Sequence, residues 1–158
     1  MESVSGLPAH PLFVHAPVVL VPLATLLALA CAARPGLRRR AGWAVAGAAA
    51  VGLIATQLAV SSGYRFDELL EGAVDTSDHQ ALGETTRNLV AVFLVSALAT
   101  AWLDRPTGDP ATGLRRWAVA AGVVITTLSS IMATVWMIRT GEEGARLVWD
   151  GVLTARLR

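Results

Sequence analysis

Four long runs of apolar residues constrain this chain more than any other feature of its sequence. The runs cover residues 11–33, 42–62, 86–103 and 117–138. About 20 residues in a helix cross the roughly 30 Å hydrocarbon layer of a bilayer. The runs lack the polar alternation of a membrane β-barrel, and a helix satisfies its own backbone groups in lipid. The sequence therefore predicts an all-α membrane protein, with residues 1–158 forming a single four-transmembrane-helix bundle.

The composition agrees with this fold and excludes several classes of protein. Hydrophobic residues make up 54% of the chain and charged residues 16%, and the formal net charge is +1. Nucleic-acid binding needs a concentrated excess of cations, which this sequence lacks. Cys31 is the only cysteine, which rules out an intrachain disulfide or thiolate cluster. The sequence has no phosphate-binding loop, nucleophile elbow or zinc-protease motif, so we expect no enzyme activity from this chain alone.

The short loops differ in charge, and this difference predicts the orientation. The loops after the first and third runs collect arginine, namely Arg34, Arg38, Arg39, Arg40, Arg105, Arg115 and Arg116. The loop over residues 63–84 instead carries six acidic residues against Arg65. Arginine-rich loops stay in the cytoplasm. We therefore expect a multi-pass protein of the cytoplasmic membrane with its N-terminus, its C-terminus and the acidic loop outside.

Two mixed segments on the outer side predict short interfacial helices. One follows the second span and combines acidic residues with Tyr64, Phe66, Leu69 and Leu70. The other follows the fourth span and combines arginine with Leu147, Val148, Val152 and Leu157. A helix of this kind lies along the membrane surface with its apolar side down.

Three histidines are the candidate functional residues, and the topology places all of them on or near the outer side: His10, His15 and His79. His15 lies one turn inside the first span, where a titratable group is costly and suggests function. Each histidine also has a structural interpretation. His10 would cap a helix that begins at Pro11, His15 would donate to a neighbouring helix, and His79 would be a solvated loop residue.

The spacing of the histidines limits how they combine. Five residues of regular helix turn through roughly 140°, so His10 and His15 do not share one face. His79 would supply a partner if the third helix begins at Thr76 or Ser77, both of which are good capping residues.

The string from His10 to Pro17 resembles the opening motif of the bacterial membrane family catalogued as domain of unknown function 2231, with Ala16 in place of an aromatic residue. Further similar features are Ser62 and Gly63 after the second span, His79 before the third, and a set after the fourth: Thr140, Gly141, Gly144, Leu147, Val148 and Gly151. The resemblance covers nearly the whole chain. It implies a four-helix domain in a bacterial cytoplasmic membrane, attached in some relatives to cytochrome-c-like or Rieske-like modules, and so points toward redox chemistry or haem.

The chain departs from the family pattern after the fourth span. Members often carry histidines where Glu142 and Asp150 stand here, and a tyrosine where Trp149 stands. A haem held by two histidines is harder to build from the remaining residues. A metal site that combines carboxylate and imidazole ligands is not.

The expected function is that of a small, redox-associated membrane protein in electron transfer, with an outer-side site around His15 and His79. Haem b is the expected cofactor, with His10 as a further candidate ligand and Arg87 and Arg139 pairing with its propionates. Two alternatives stay open. One is a non-catalytic membrane scaffold or subunit, and the other is a divalent transition-metal site of His15, His79 and Glu142. The expected partners are the lipid bilayer and a membrane or outer-side redox protein, and a homo-oligomer is left open.

Overall fold

A computed structural model describes residues 3–4, 7–70, 73–106 and 112–156. Within this part of the chain the helices are α1 (Ala9–Phe13), α2 (His15–Ala33), α3 (Pro35–Leu70), α4 (Ser77–Leu103) and α5 (Gly113–Arg156). Two short strands, β1 (Ser3–Val4) and β2 (Leu7–Pro8), pair antiparallel ahead of α1. Four helical segments are long and apolar enough to span a membrane: His10–Ala33, Pro35–Leu70, Ser77–Leu103 and Gly113–Trp149. The predicted four-helix membrane fold is confirmed.

Two of the helices extend well beyond the spans predicted for them. α3 runs without a break to Leu70, and α5 runs to Arg156. The segments expected to be short separate helices are therefore the ends of α3 and α5, while Leu157 lies outside the described residues. No proline follows Gly63 or Thr140 within either helix, so the backbone hydrogen bonds continue past the apolar run.

The first membrane helix begins earlier than expected and contains a break. α1 starts at Ala9, so His10 lies in its first turn and is not the cap of a helix that begins at Pro11. Val14 separates α1 from α2 as a turn residue, although its N–H still bonds to the carbonyl of His10 at 3.1 Å. Pro17 has no N–H to offer the carbonyl of Phe13, which weakens the helix at this point.

The start of α4 agrees with the capping signal in the sequence. Thr76 is the N-cap residue and Ser77 is the first helical residue. The cap bond, however, comes from Asp75, whose Oδ1 accepts the backbone N–H of Ser77 at 3.0 Å. Hydrogen bonds from the side chain and backbone of Ser77 hold the pKa of Asp75 below its usual range. This carboxylate therefore stabilises the start of α4 at neutral pH and loses that role as it is protonated in acid.

Small side chains fill the space between the helices. α4 and α5 form the most extensive helix pair, followed by α3 with α4 and α2 with α3. Most buried apolar positions are alanine, and Phe93, Val21 and Val90 are the largest apolar side chains that are fully buried. Small residues let helices approach closely in lipid, where packing replaces the hydrophobic driving force.

Buried hydroxyl groups link the helices across these contacts. Between α4 and α5 the oxygen pairs are 2.9 to 3.3 Å apart, and they are Thr86 with Thr140, Ser96 with Ser129, and Thr100 with Thr126. From α2, the Thr25 hydroxyl donates to the carbonyl of Ser130 at 3.0 Å and contacts the hydroxyl of Thr134 at 2.9 Å. Such bonds are worth roughly 0.6 kcal/mol each in membrane proteins. They set the register of α5 against α2 and α4.

The two ends of the bundle differ in their charged and titratable groups. At the arginine end, the connections α2–α3 and α4–α5 come together, and Arg38 Nε lies 2.8 Å from Asp104 Oδ2. Arg39 Nε lies 3.8 Å from the other carboxylate oxygen. At the opposite end, α1, the α3–α4 connection and the last part of α5 meet. This end contains His10 and His79, and we call it the histidine end.

Candidate functional site

A cavity of about 520 Å³ lies at the histidine end, and residues of all five helices line it. Its volume is within the range of cavities that hold small molecules and cofactors. Apolar side chains make up most of the walls, including Val18, Leu70, Met137 and Leu147. Glycine and alanine keep the space open at Ala59, Gly63, Gly83, Gly141, Gly144 and Ala145.

His10 enters the cavity from α1 and is held by α3. Its Nδ1 lies 3.0 Å from the carbonyl oxygen of Ala59 and 3.3 Å from the hydroxyl of Ser62. Because a carbonyl oxygen only accepts, Nδ1 carries a hydrogen, and Nε2 of the neutral ring keeps its lone pair. The Phe66 ring lies nearly parallel to this imidazole, with the centroids 6.2 Å apart. The contacts on α3 thus orient His10 and leave Nε2 available for a ligand.

His79 enters the same cavity from the first turn of α4. Its ring centroid lies 6.0 Å from that of His10, and the two ring planes are 84° apart. Nδ1 of His79 is buried and meets no partner at strict hydrogen-bond geometry among the described residues, although the Thr140 backbone of α5 interacts with this imidazole. The cavity therefore contains two neighbouring imidazoles, one oriented by a carbonyl and one beside the Thr140 backbone.

Two glycines on the neighbouring helices make room for the histidine rings. A Cβ on Gly63 of α3 would lie 3.2 Å from Cε1 of His10. A Cβ on Gly144 of α5 would lie 2.9 Å from Cε1 of His79. A side chain at either position would have to displace the ring. The observed positions of the two histidine rings therefore require glycine at both sites.

Polar contacts beside the cavity tie the end of α3 to the start of α4. Thr76 donates to the carboxylate of Asp67 and accepts a hydrogen bond from Nε2 of Gln80 at 2.8 Å. Tyr64 donates to the carboxylate of Glu84. These contacts hold the segment that carries His79 against the helix that holds His10.

The structure does not bring His15 into this site. His15 is exposed and does not line the cavity, and its Nδ1 lies 2.6 Å from the carbonyl oxygen of Pro11 in the preceding turn. We expected His15 to lie beside His79, but in the structure His10 lies beside His79. The five-residue separation turns the two rings to different sides of the first membrane helix, and α1 packs on α3.

The remaining predicted site residues also lie outside the cavity lining. Arg139 is exposed, with its guanidinium 5.1 Å from the ring centroid of Trp136. Arg87 contacts the amide oxygen of its neighbour Asn88 at 3.3 Å. Glu142 is exposed on α5.

The predicted metal ligands His15, His79 and Glu142 do not come together. Among the residues that the structure describes, no three His, Cys, Asp or Glu side chains are grouped so that they could hold a metal ion. His15 and Glu142 lie on exposed sides of their helices, whereas His79 is half-buried. The three side chains therefore do not share one site.

Sequence reasoning ranked His10 last among the histidines and did not predict its contacts with Phe66 and Gly63. It also gave no role to Gly144 beyond the family resemblance. A usable signal was present, since glycine inside a helix often marks a close approach by another group. The partner at that approach, however, could not be named from the sequence.

Comparisons with known proteins identify the family of the chain. No curated protein and no solved structure matches it. The family model DUF2231, described as a predicted membrane protein, matches residues 6–156. This range includes every helix that lines the cavity and both histidines within it. The chain is therefore a member of the DUF2231 family of predicted membrane proteins.

Proposed function

We propose that this protein is a redox-associated membrane protein that holds haem b in the cavity at the histidine end, where His10 and His79 would bind it. One observation carries the proposal. Two imidazoles from different helices lie 6.0 Å apart, centroid to centroid, in an apolar cavity of about 520 Å³. Two imidazoles at this separation could both bind one metal, given metal–nitrogen bonds of about 2 Å. Bound haem would supply one-electron chemistry.

The contacts of each histidine support this role. The Ala59 carbonyl accepts the Nδ1 hydrogen of His10, which is how metal-ligating histidines are commonly oriented for bonding through Nε2. His79 contributes a second half-buried imidazole, from α4, beside the Thr140 backbone. Gly63 and Gly144 provide the space in which both rings stand. The donor set and the space around it are therefore compatible with a planar group held by two histidines.

The apolar walls of the cavity also suit haem. Side chains such as Val18, Leu70 and Met137 would exclude water from the macrocycle, and exclusion of water is one of the factors that set a haem reduction potential. Arg87 and Arg139 do not line the cavity, and we do not assign them to the propionates. The proposal rests on the histidines and the cavity shape.

The two alternatives have less support. Transition-metal sites in proteins use three or four donors, and the described residues add no third donor to His10 and His79. A pure scaffold gives no reason for a cavity of this size.

The arginine distribution supports a location and a partner for this site. Arginine-rich loops favour the cytoplasmic side, so the histidine end would face outward from a bacterial cytoplasmic membrane. Electrons would then pass to or from a membrane-bound or outer-side redox protein.

Absorption spectroscopy and metal analysis of the full chain test the proposal. The protein would be expressed with haem supplied, purified in detergent, and measured in the oxidised and reduced states. We expect a Soret band, a sharp band on reduction that is typical of two-histidine haem, and iron in stoichiometric amount. Folded protein without Soret absorbance or iron would contradict the proposal. Stoichiometric zinc or copper in that protein would favour the metal alternative, and no metal would favour the scaffold.

A further inference from the structure

A polar amide lies on the outward face of α3, at a depth where lipid surrounds the helix. Trp43 and Tyr64 are 53% and 39% exposed on this helix. The stretch between them is about 31 Å long at 1.5 Å per residue, close to the thickness of the hydrocarbon layer. Exposed aromatic residues of this kind lie at membrane interfaces. Gln57, which is exposed and two helical turns before Tyr64, is therefore about 10 Å inside the hydrocarbon layer.

The hydrogen bonding of Gln57 is incomplete. Its Nε2 donates to the hydroxyl of Ser61 at 2.9 Å, one turn further along the same helix. A side-chain amide has two hydrogens and an acceptor oxygen. Among the described residues no second hydrogen bond involves this side chain. Because hydrocarbon offers no water, the amide oxygen and the second hydrogen stay unpaired unless another protein supplies partners.

The rest of this face suits contact with another helix. Its residues recur at alternating steps of four and three, the spacing of a helix–helix seam, and are Trp43, Gly47, Ala50, Ile54, Gln57 and Ser61, all exposed except the half-buried Ala50. A Cβ on Gly47 would meet nothing within 4 Å, whereas one on Gly52 would lie 3.3 Å from Val21. Among the described residues, a side chain at position 47 would therefore meet no other part of the protein. Small residues on a lipid-facing surface allow a second helix to approach.

We propose that two copies of this chain pair through this face of α3, with Gln57 of each copy hydrogen-bonded to Gln57 of the other. An amide is both donor and acceptor, so a twofold axis along the membrane normal lets each amide donate to its equivalent at the same depth. A second copy meets this requirement without any further chemistry. This pairing is separate from the haem site and does not depend on it.

Cysteine cross-linking in membranes tests whether this face of α3 forms the dimer contact. In a Cys31→Ala background, Ile54→Cys places one thiol on the proposed seam, where Ile54 is 62% exposed. Val95→Cys on α4 and Leu26→Cys on α2 are matched controls at 66% and 61% exposure. We expect a disulfide-linked dimer from Ile54→Cys and monomers from both controls. No dimer at position 54, or equal dimer at all three positions, would overturn the inference.

The role of the amide is tested by the affinity of the dimer. Energy transfer between labelled copies of the full chain in lipid vesicles gives the dissociation constant. Gln57→Leu removes two reciprocal interhelical bonds and is expected to weaken dimerisation roughly tenfold. Thr85→Val removes an exposed polar group from α4 whose hydrogen already bonds to the Ala81 carbonyl of its own helix, and it should leave the affinity unchanged. An unaltered dimer in Gln57→Leu would refute the pairing. Haem content measured in the same samples keeps this result distinct from the haem proposal.

Discussion

His79 of α4 packs so closely against Gly144 of α5 that a Cβ on this glycine would lie 2.9 Å from Cε1 of the ring. Side-chain carbons do not approach each other this closely without displacement. The position of the imidazole therefore depends on a missing side chain on the neighbouring helix. His10 has the same relationship with Gly63 of α3, at 3.2 Å. The histidine pair is thus fixed by both neighbouring helices.

Substitution of Gly144 tests this dependence. Gly144→Ala should displace the His79 ring, lower stability by about 1–3 kcal/mol as an overpacked contact, and reduce haem content. Gly113→Ala, on the same helix but outside the cavity lining, is the matched control, because a Cβ there would meet nothing within 4 Å. Thermal unfolding in detergent and the absorption spectrum report both effects. Equal behaviour of the two variants would show that Gly144 does not position His79.

A tight contact between α4 and α5 at Gly122 predicts a loss of stability without a change at the histidine site. A Cβ on Gly122 of α5 would lie 2.6 Å from Oγ1 of Thr100, whose hydroxyl also lies 3.1 Å from that of Thr126. Gly122→Ala should therefore lower the free energy of unfolding by about 1–2 kcal/mol. Gly47→Ala, which meets open space, should have no such effect. A stable Gly122→Ala variant would mean that α4 and α5 separate easily.

The buried hydroxyl of Thr25 predicts a measurable interhelical bond. Thr25→Val keeps the shape of the side chain but removes its bonds to the Ser130 carbonyl and the Thr134 hydroxyl. The expected loss is about 0.5–1.5 kcal/mol, as found for interhelical hydrogen bonds in lipid. Thr85→Val is the control, because Thr85 is exposed and bonds only to the Ala81 carbonyl of its own helix. Thermal unfolding distinguishes the two, and similar shifts would assign the effect to helix propensity.

The orientation of the bundle is tested by labelling intact cells. In the Cys31→Ala background, Arg39→Cys should react with a membrane-impermeant reagent only after the membrane is opened. Asp75→Cys should react from outside. Both positions are exposed, so accessibility within the fold is not a limit. The reverse pattern would turn the histidine end toward the cytoplasm.

The helices of this protein were largely predictable, because an apolar run of membrane-spanning length has few other solutions. The start of α4 at Ser77 followed from the capping residues before it. The far ends of α3 and α5 were not predictable in the same way. Polarity changes where the lipid ends, but a helix continues until a residue interrupts it, and neither Gly63 nor Thr140 does so.

The choice between His10 and His15 could not be made from the sequence. The first span is apolar on every side, so no periodic pattern marks its inward face. The structure shows that face in the buried positions of α2, which recur at steps of four and three: Pro17, Val21, Ala24, Ala28 and Cys31. The same steps extended backward reach Val14 and then His10. They do not reach His15, and this explains why the less favoured histidine lines the cavity.

The central claim is that His10 and His79, and not His15, hold the cofactor. Its most direct test is the haem content of three purified variants, His10→Ala, His79→Ala and His15→Ala, each confirmed as folded by circular dichroism. Removal of a histidine that holds the haem should lower haem content at least tenfold or shift the reduced spectrum, because one of two protein contacts to the iron would be lost. We expect this result for His10→Ala and His79→Ala, and a spectrum like that of the unaltered protein for His15→Ala. Loss of haem in His15→Ala with retention in His10→Ala would contradict the account.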